Sequence, residues 1–238
     1  IEAAAASRDG ELFVTTDEAR TFAKRISDAG FKGIWVNIAN PCDVVSTEIQ
    51  YLTGCDPTRV IGSGTTLDSA RFRHALSVAT GYPASCINAW MLGEHGNGQF
   101  ALWSHVTFGC LTDKEVEAHT GLKFDRAQLE QDARMGGYVT YKGKHCTEYS
   151  IANGAVEVIG AIVNDTKLVT PVSTLLDNVY GASGFYSSLP AVIGKDGVEK
   201  VLVPELSDDE IAAWKKSCEH VKGNIDQLDW LKVDARVE

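Results

Sequence analysis

Three side chains in the 238-residue chain could together hold an acid and move a proton: Asp68, Arg71 and His95. Asp68 and Arg71 lie three apart in the run Thr66-Leu67-Asp68-Ser69-Ala70-Arg71-Phe72-Arg73. On a helix that spacing puts them on one face. It also fits a plain intrahelical ion pair, with Asp68 favoured near the positive helix N-terminus. His95 sits among Gly93, Gly96 and Gly98. Glycines leave the backbone free to adopt unusual dihedrals and to approach a ligand closely, although a turn histidine is the simpler alternative. A histidine acting as a general acid needs a partner that fixes its tautomer and favours its protonated form. A carboxylate such as Asp68 supplies both.

The elements that must position these groups follow from pattern. Thr15-Thr16-Asp17-Glu18 fits a capping box, followed by Ala19, Phe22, Ala23 and Ile26 at helical spacing and by Gly30 as terminator. Residues 1–12 show no period and read as a mobile loop. The apolar run 33–39 reads as a buried parallel strand. Asn40-Pro41 then caps a helix to about Leu52, and Arg59-Val60-Ile61 is a short strand. Helix, strand, helix, strand is the back half of a parallel α/β sheet, and two strands are too few to stand alone. Beyond Thr66 the pattern gives a helix at 67–79 and strands at 86–92 and 101–108. Helices at 113–118 and 125–135 follow, then a strand near 138–141 and a long helix from Thr147 to Val163. Strands at 168–174, 189–194 and 198–203 come next, the last two joined by a turn at 195–197. Ser207-Asp208-Asp209-Glu210 is a second capping box opening a C-terminal helix. Asn40 follows a strand end, where ligands of open α/β sheets sit. Thr147 reads as a helix cap.

Composition excludes several classes. A net charge of −10 lacks the basic face of a nucleic-acid binder. No apolar run approaches the ~20 residues that span a bilayer, and no signal-peptide pattern opens the chain. The six cysteines are scattered without a C-x-x-C pair, which reads as buried reduced thiols of a cytoplasmic protein. The histidines show no metal-site spacing, so no metal is assigned. There is no G-x-S-x-G elbow and no P-loop, and Gly62-Ser63-Gly64 lacks the third glycine of a dinucleotide fingerprint.

Residues 60–73, Gly93-Glu94-His95-Gly96-Asn97 with Trp103-Ser104, and Asn40-Pro41-Cys42-Asp43 resemble the L-2-hydroxy-acid dehydrogenases, the lactate and malate dehydrogenase family. Gly143–Thr147, Leu189–Gly194 and the C-terminal helix extend the likeness over nearly the whole chain. The resemblance implies a Rossmann-type half-sheet with the active-site loop over residues 1–64, and an α+β catalytic domain over 65–238. His95 is then the acid/base at the 2-oxo oxygen, and Asp68 holds its imidazole. Arg71 clamps the substrate carboxylate through two parallel hydrogen bonds, which lysine cannot match. Asn40 lies near the reacting oxygen, and Thr147 lines the substrate pocket. Ile38, Ala39, Asn40, Ser63 and Leu67 fall on the nicotinamide side. Counting back from Asn40 places Arg8 where the family carries a loop arginine that polarises the substrate carbonyl.

The implied cofactor is NAD, by resemblance alone, since the G-x-G-x-x-G turn and the ribose-binding acid are not in this sequence. The N-terminal part of the cofactor domain is expected to be absent, which fits Ile1 in place of Met and leaves the strand at 33–39 with an exposed edge. Glu94 favours a monocarboxylate, lactate or a branched-chain 2-hydroxy acid such as 2-hydroxyisocaproate, over malate. Small Gly136 and Gly137 suggest room for a larger substrate side chain. The family implies a homodimer or homotetramer, with the Thr147 helix and residues 15–53 near interfaces. The alternatives are a malate dehydrogenase, or a non-catalytic fragment that binds a 2-oxo acid or a partner chain without cofactor.

Overall fold

The computed structural model describes residues 8–238, with side chains described from residue 10 onward. After a 3-10 turn at Arg8–Glu11, helix α1 (Leu12–Asp28) leads to β1 (Trp35–Asn37), α2 (Cys42–Thr53) and β2 (Val60–Gly62). Then come α3 (Thr66–Thr80) and the short strands β3 (Ile87–Asn88), β4 (Met91–Leu92), β5 (Phe100–Ala101), β6 (Thr107–Phe108) and β7 (Leu111–Thr112). Helices α4 (Asp113–Thr120), α5 (Arg126–Lys144) and α6 (Glu148–Asn164) follow. The chain closes with β8 (Leu168–Leu175), β9 (Ala182–Ser183), β10 (Tyr186–Gly194), β11 (Gly197–Val201), α7 (Asp208–Ile225) and β12 (Arg236–Val237).

One five-stranded sheet, ordered β1-β2-β8-β10-β11, runs through both halves of the chain. β1 and β2 pair in parallel, as the sequence pattern requires. β2 then joins the antiparallel β8 at a single residue pair, Gly62 opposite Ser173, and β8, β10 and β11 form an antiparallel meander. The two-strand unit is therefore completed by strands from the far end of the chain. The boundary expected at residues 64–65 falls just after a strand of this shared sheet.

Four expectations need correction. α1 starts a turn before Thr15, because Leu12 opens the buried stripe Leu12, Thr16, Ala19 and Ala23. Thr15, expected at the N-cap, lies inside the helix, and the N-cap position falls to Glu11. The neighbouring Thr16 returns its hydroxyl to the Leu12 carbonyl at 2.6 Å, and Phe22 and Ile26 are exposed. There is no strand at 138–141: α5 continues to Lys144. Its buried residues Leu129, Ala133 and Gly137 keep helical spacing, and the Thr140 hydroxyl satisfies itself on the Gly136 carbonyl at 2.9 Å. The two long strands at 86–92 and 101–108 are instead short pieces: the first is broken at Ala89-Trp90, the second by a 3-10 turn at Trp103–His105. The cysteines are not uniformly buried: Cys42 and Cys218 are, but Cys110 and Cys146 are exposed.

The C-terminal helix keeps its expected capping box, Ser207 with Glu210, and buries Trp214, Cys218, Val221 and Ile225 against Leu92, Phe100 and Leu189. This is the core that supports the His95 loop from below. β1 is the sheet's edge in this chain; Trp35 and Val36 are only half-buried and Ile38 is exposed. Among the described residues no helix is long and apolar enough to cross a membrane.

Candidate active site

The site is assembled at the first turn of α3. Gly64 precedes it with φ +50°, and a Cβ there would meet the Ser188 hydroxyl at 2.4 Å and the Ser173 amide nitrogen at 2.6 Å. Only glycine lets the chain pass this close to the sheet. Three hydroxyls then lock the helix to neighbouring strands. Thr65 donates to the Met91 carbonyl at 2.6 Å, and Thr66 donates to the Pro171 carbonyl at 2.8 Å. Ser69 accepts from the Met91 amide at 2.9 Å. Thr65 occupies the N-cap position but makes no side-chain cap bond, since its hydroxyl is committed to β4.

This locking fixes Asp68, which is fully buried. One carboxylate oxygen lies 2.5 Å from His95 Nδ1, and the other accepts from Arg71 Nη1 at 3.1 Å. The intrahelical ion pair and the histidine partnership are thus both present, on the two oxygens of one carboxylate. A proton on Nδ1 satisfies that short contact and sets the tautomer. The stem of Arg71 rests against α5, where a Cβ on Gly136 would come within 3.0 Å of Arg71 Cδ. Gly136 is small because of this contact, and Gly137 is buried in the helix packing. Arg71 also lines a cavity of about 440 Å³ between α3 and α5.

The His95 loop is held by its backbone at three successive amides. Gly93 N–H donates to the Ser188 carbonyl at 3.1 Å, Glu94 N–H to the Ser217 hydroxyl at 2.7 Å, and His95 N–H to Asp43 Oδ2 at 2.8 Å. Gly93 takes φ +87°, with the Ser217 hydroxyl where a Cβ would be. Glu94 is buried and turns its carboxylate back onto its own loop, accepting from Gly98 N–H at 2.6 Å. Asp43 also accepts from the Ser173 hydroxyl at 2.5 Å. Burial, countered in part by these bonds, pushes its carboxyl up to about 6. Burial likewise pushes the Cys42 thiol up to about 12, so this cysteine stays neutral.

The remaining expected residues gather at the carboxyl ends of β1 and β2. Asn37 organises that end: its side-chain oxygen accepts from Ala39 N–H at 3.0 Å and its backbone carbonyl accepts from Ser63 N–H at 2.8 Å. Ala39, Asn40 and Leu67 are half-buried, and Ser63 is buried with its hydroxyl 3.8 Å from Cys42 Sγ. The Asn40-Pro41 bond is cis, and Pro41, not Asn40, holds the N-cap position of α2. Thr147 stands at the N-cap of α6, half-buried and without a side-chain cap bond. Arg8 opens the turn before α1; its side chain lies outside the described residues.

Sequence reasoning singled out Asp68, Arg71 and His95, and the structure brings them together. It missed Thr65, Ser69, Asp43, Ser173 and Ser217, which hold them. Asp43 carried one signal, an acidic residue in the first turn of a helix whose neighbours are apolar or small. The others carried none, because each binds a partner far along the chain.

Residues 65–230 match the model of the lactate/malate dehydrogenase α/β C-terminal domain. The L-lactate dehydrogenase of Lacticaseibacillus casei is 37% identical over 199 residues, covering 83% of this chain and 61% of that protein. The crystal structure of Cryptosporidium parvum malate dehydrogenase superposes with a TM-score of 0.89 at 28% identity, covering 93% of this chain and 72% of that one. The lactate dehydrogenase from Cryptosporidium parvum, complexed with lactic acid and nicotinamide adenine dinucleotide, gives a TM-score of 0.90 at 26% identity, with 94% and 72% covered. The chain thus spans less than two thirds of the length of the Lacticaseibacillus casei protein.

Proposed function

Because the chain belongs to the lactate/malate dehydrogenase family, we propose that it interconverts an L-2-hydroxy monocarboxylic acid and its 2-oxo acid, with NAD as hydride partner. The observation that carries this reading is the single buried carboxylate of Asp68 shared between His95 and Arg71. That arrangement supports an acid/base on the His95 loop beside a carboxylate clamp on α3.

In this reading Arg71 binds the substrate carboxylate and sets its orientation, and Asn40 hydrogen-bonds beside the 2-oxygen. His95 gives its Nε2 proton to the 2-oxo oxygen, or takes it from the 2-hydroxyl in the reverse direction. Asp68 stabilises the ring that carries the charge. The family resemblance assigns Arg8 to the carbonyl and Thr147 to the lining of the substrate pocket. When bound, the nicotinamide supplies or accepts the hydride at C2. Support for its fit comes from the ends of β1 and β2, where Ile38, Ala39, Asn40 and Ser63 follow the strands and Leu67 precedes Asp68 on the first turn of α3. Ligands of parallel α/β sheets occupy this position.

Lactate or a branched-chain homologue is preferred over malate because Glu94 replaces the second glycine of the Gly-Gly-His run usual in malate dehydrogenases; here its carboxylate is held by Gly98 N–H. The test is NADH oxidation with pyruvate, 2-oxoisocaproate and oxaloacetate, alongside calorimetry with NADH. Turnover of the first two supports the proposal. Preferential turnover of oxaloacetate makes the chain a malate dehydrogenase, and absence of NADH binding makes it a fragment without cofactor. A homodimer or homotetramer is also proposed, on the exposed apolar residues Tyr149, Val156, Ile159 and Val163 that recur along α6. Sedimentation velocity returning a monomer at micromolar concentration removes that part.

A further inference from the structure

We propose that Asp43 is a positioning residue for His95, fixing the backbone of its loop while Asp68 fixes its ring. This rests on the reading of His95 as the acid/base. Of the three partners that hold the amides of residues 93–95, Ser188 and Ser217 are neutral and only Asp43 is a carboxylate. It is also the only one contributed by the segment before α3. Its second oxygen is bound to Ser173, which faces Gly62 across the sheet. The β2–β8 junction, the start of α2 and the His95 loop are therefore tied through one buried side chain, 2% exposed.

A carboxylate at this point does two things that a serine could not. It accepts a charge-assisted hydrogen bond from the loop, the stronger kind. It also brings a negative charge to the His95 backbone, which covalent geometry keeps within a few ångströms of the ring, and a nearby anion favours the protonated imidazole needed to reduce a 2-oxo acid. The groups facing Asp43 are Asp68 from α3, His95 itself, Ser173 from β8, Cys218 from α7, and Cys42 beside it on α2. Asp68 opposes its ionisation, while the bonds from Ser173 and His95 favour it. Protonation of Asp43 removes the charge from this hydrogen bond and with it the bias toward the protonated ring.

The test uses the isotope-labelled chain with Asp43→Ala and Asp43→Asn. In Asp43→Ala the His95 amide exchanges with solvent at least about tenfold faster, as expected for a lost hydrogen bond to a charged group, while amides inside α7 keep their protection. In Asp43→Asn, which can orient its oxygen to His95 and its amide to Ser173, exchange stays near wild type but the imidazole titrates at lower pH. In turnover assays Asp43→Ala loses roughly 10–100-fold in kcat, the scale of a small misplacement of a catalytic group. KM for the 2-oxo acid changes by less than about twofold, because the Arg71 clamp is untouched. An unshifted His95 titration in Asp43→Asn, or an unchanged His95 amide in Asp43→Ala, overturns the proposal. Should Asp43→Ala not fold, the Asp43→Asn titration decides alone. If these spectroscopic shifts occur in a chain that shows no NADH-dependent turnover, the activity reading fails and the positioning role stands.

Discussion

Asp68 and Ile38 mark the extremes of one half-site. Asp68 is 0% exposed, and its helix is nailed down by Thr65, Thr66 and Ser69 to strands on two sides. Ile38, at the end of β1, is 47% exposed, and the turn after it is held by the Asn37 side chain. Proton chemistry needs groups held to a few tenths of an ångström, and buried hydrogen bonds supply that rigidity. A face that is apolar yet exposed is instead a surface awaiting a covering. Substitutions on the first side should therefore act on chemistry and stability, and those on the second on association.

The largest effect is expected from His95→Asn, which keeps a polar side chain but cannot carry the proton. Turnover of the 2-oxo acid should fall roughly 10²–10⁴-fold, the usual contribution of a general acid, with the thermal midpoint nearly unchanged. Near-normal kcat in this variant would remove His95 from the acid/base role. Next is Arg71→Lys. Lysine keeps the charge and loses the planar fork, so KM for the 2-oxo acid should rise roughly 10–100-fold, the worth of one hydrogen bond to a charged group. A variant with wild-type KM would show that the carboxylate is held elsewhere.

The D-x-x-R spacing and the glycine-flanked histidine were legible because their chemistry is local: one helix turn, one loop. The parallel pair β1–β2 was legible too, from an apolar run followed by Asn40-Pro41. What could not be read was the long-range support. Ser173 meets Asp43 across 130 positions and Ser217 meets Glu94 across 123; no periodicity encodes such pairs. The misread strand at 138–141 has a different cause. Tyr138-Val139-Thr140-Tyr141 has strand-forming residue types, but tertiary packing of Ala133 and Gly137 on the helical period overrides that preference.

A smaller effect separates the two carboxylates around His95. Asp43 is pushed up to about 6 in the folded chain from an ordinary 3.8. Between those values the native state holds a proton that the unfolded state has released. Stability from this group is thus fully present below about pH 4 and lost as pH rises through about 6. Asp43→Asn has no such proton. Denaturant midpoints measured from pH 4 to 7 should show wild type falling relative to the variant over that interval and parallel to it above. Parallel curves throughout would mean that Asp43 ionises normally. Ser69→Ala acts without pH dependence: it leaves the buried Met91 amide without its acceptor and should lower stability by ~1–3 kcal/mol.

The smallest effect on stability belongs to the exposed side, and it bears most directly on the contrast. Val156 and Val158 are two positions apart on α6, one 67% exposed and the other fully buried. Val158 packs with Ile61, Val172 and Ile193, so Val158→Ala should shift the denaturant midpoint clearly. Val156→Ser should change it by no more than ~0.5 kcal/mol in the isolated chain, as surface substitutions do. If α6 is covered by another copy, the same Val156→Ser change should nonetheless weaken self-association in sedimentation experiments, because an apolar contact is lost there and nowhere else. A loss of stability matching that of Val158→Ala would mean that the exposed stripe packs within the chain itself, and the division between a rigid side around Asp68 and an associating side would fall.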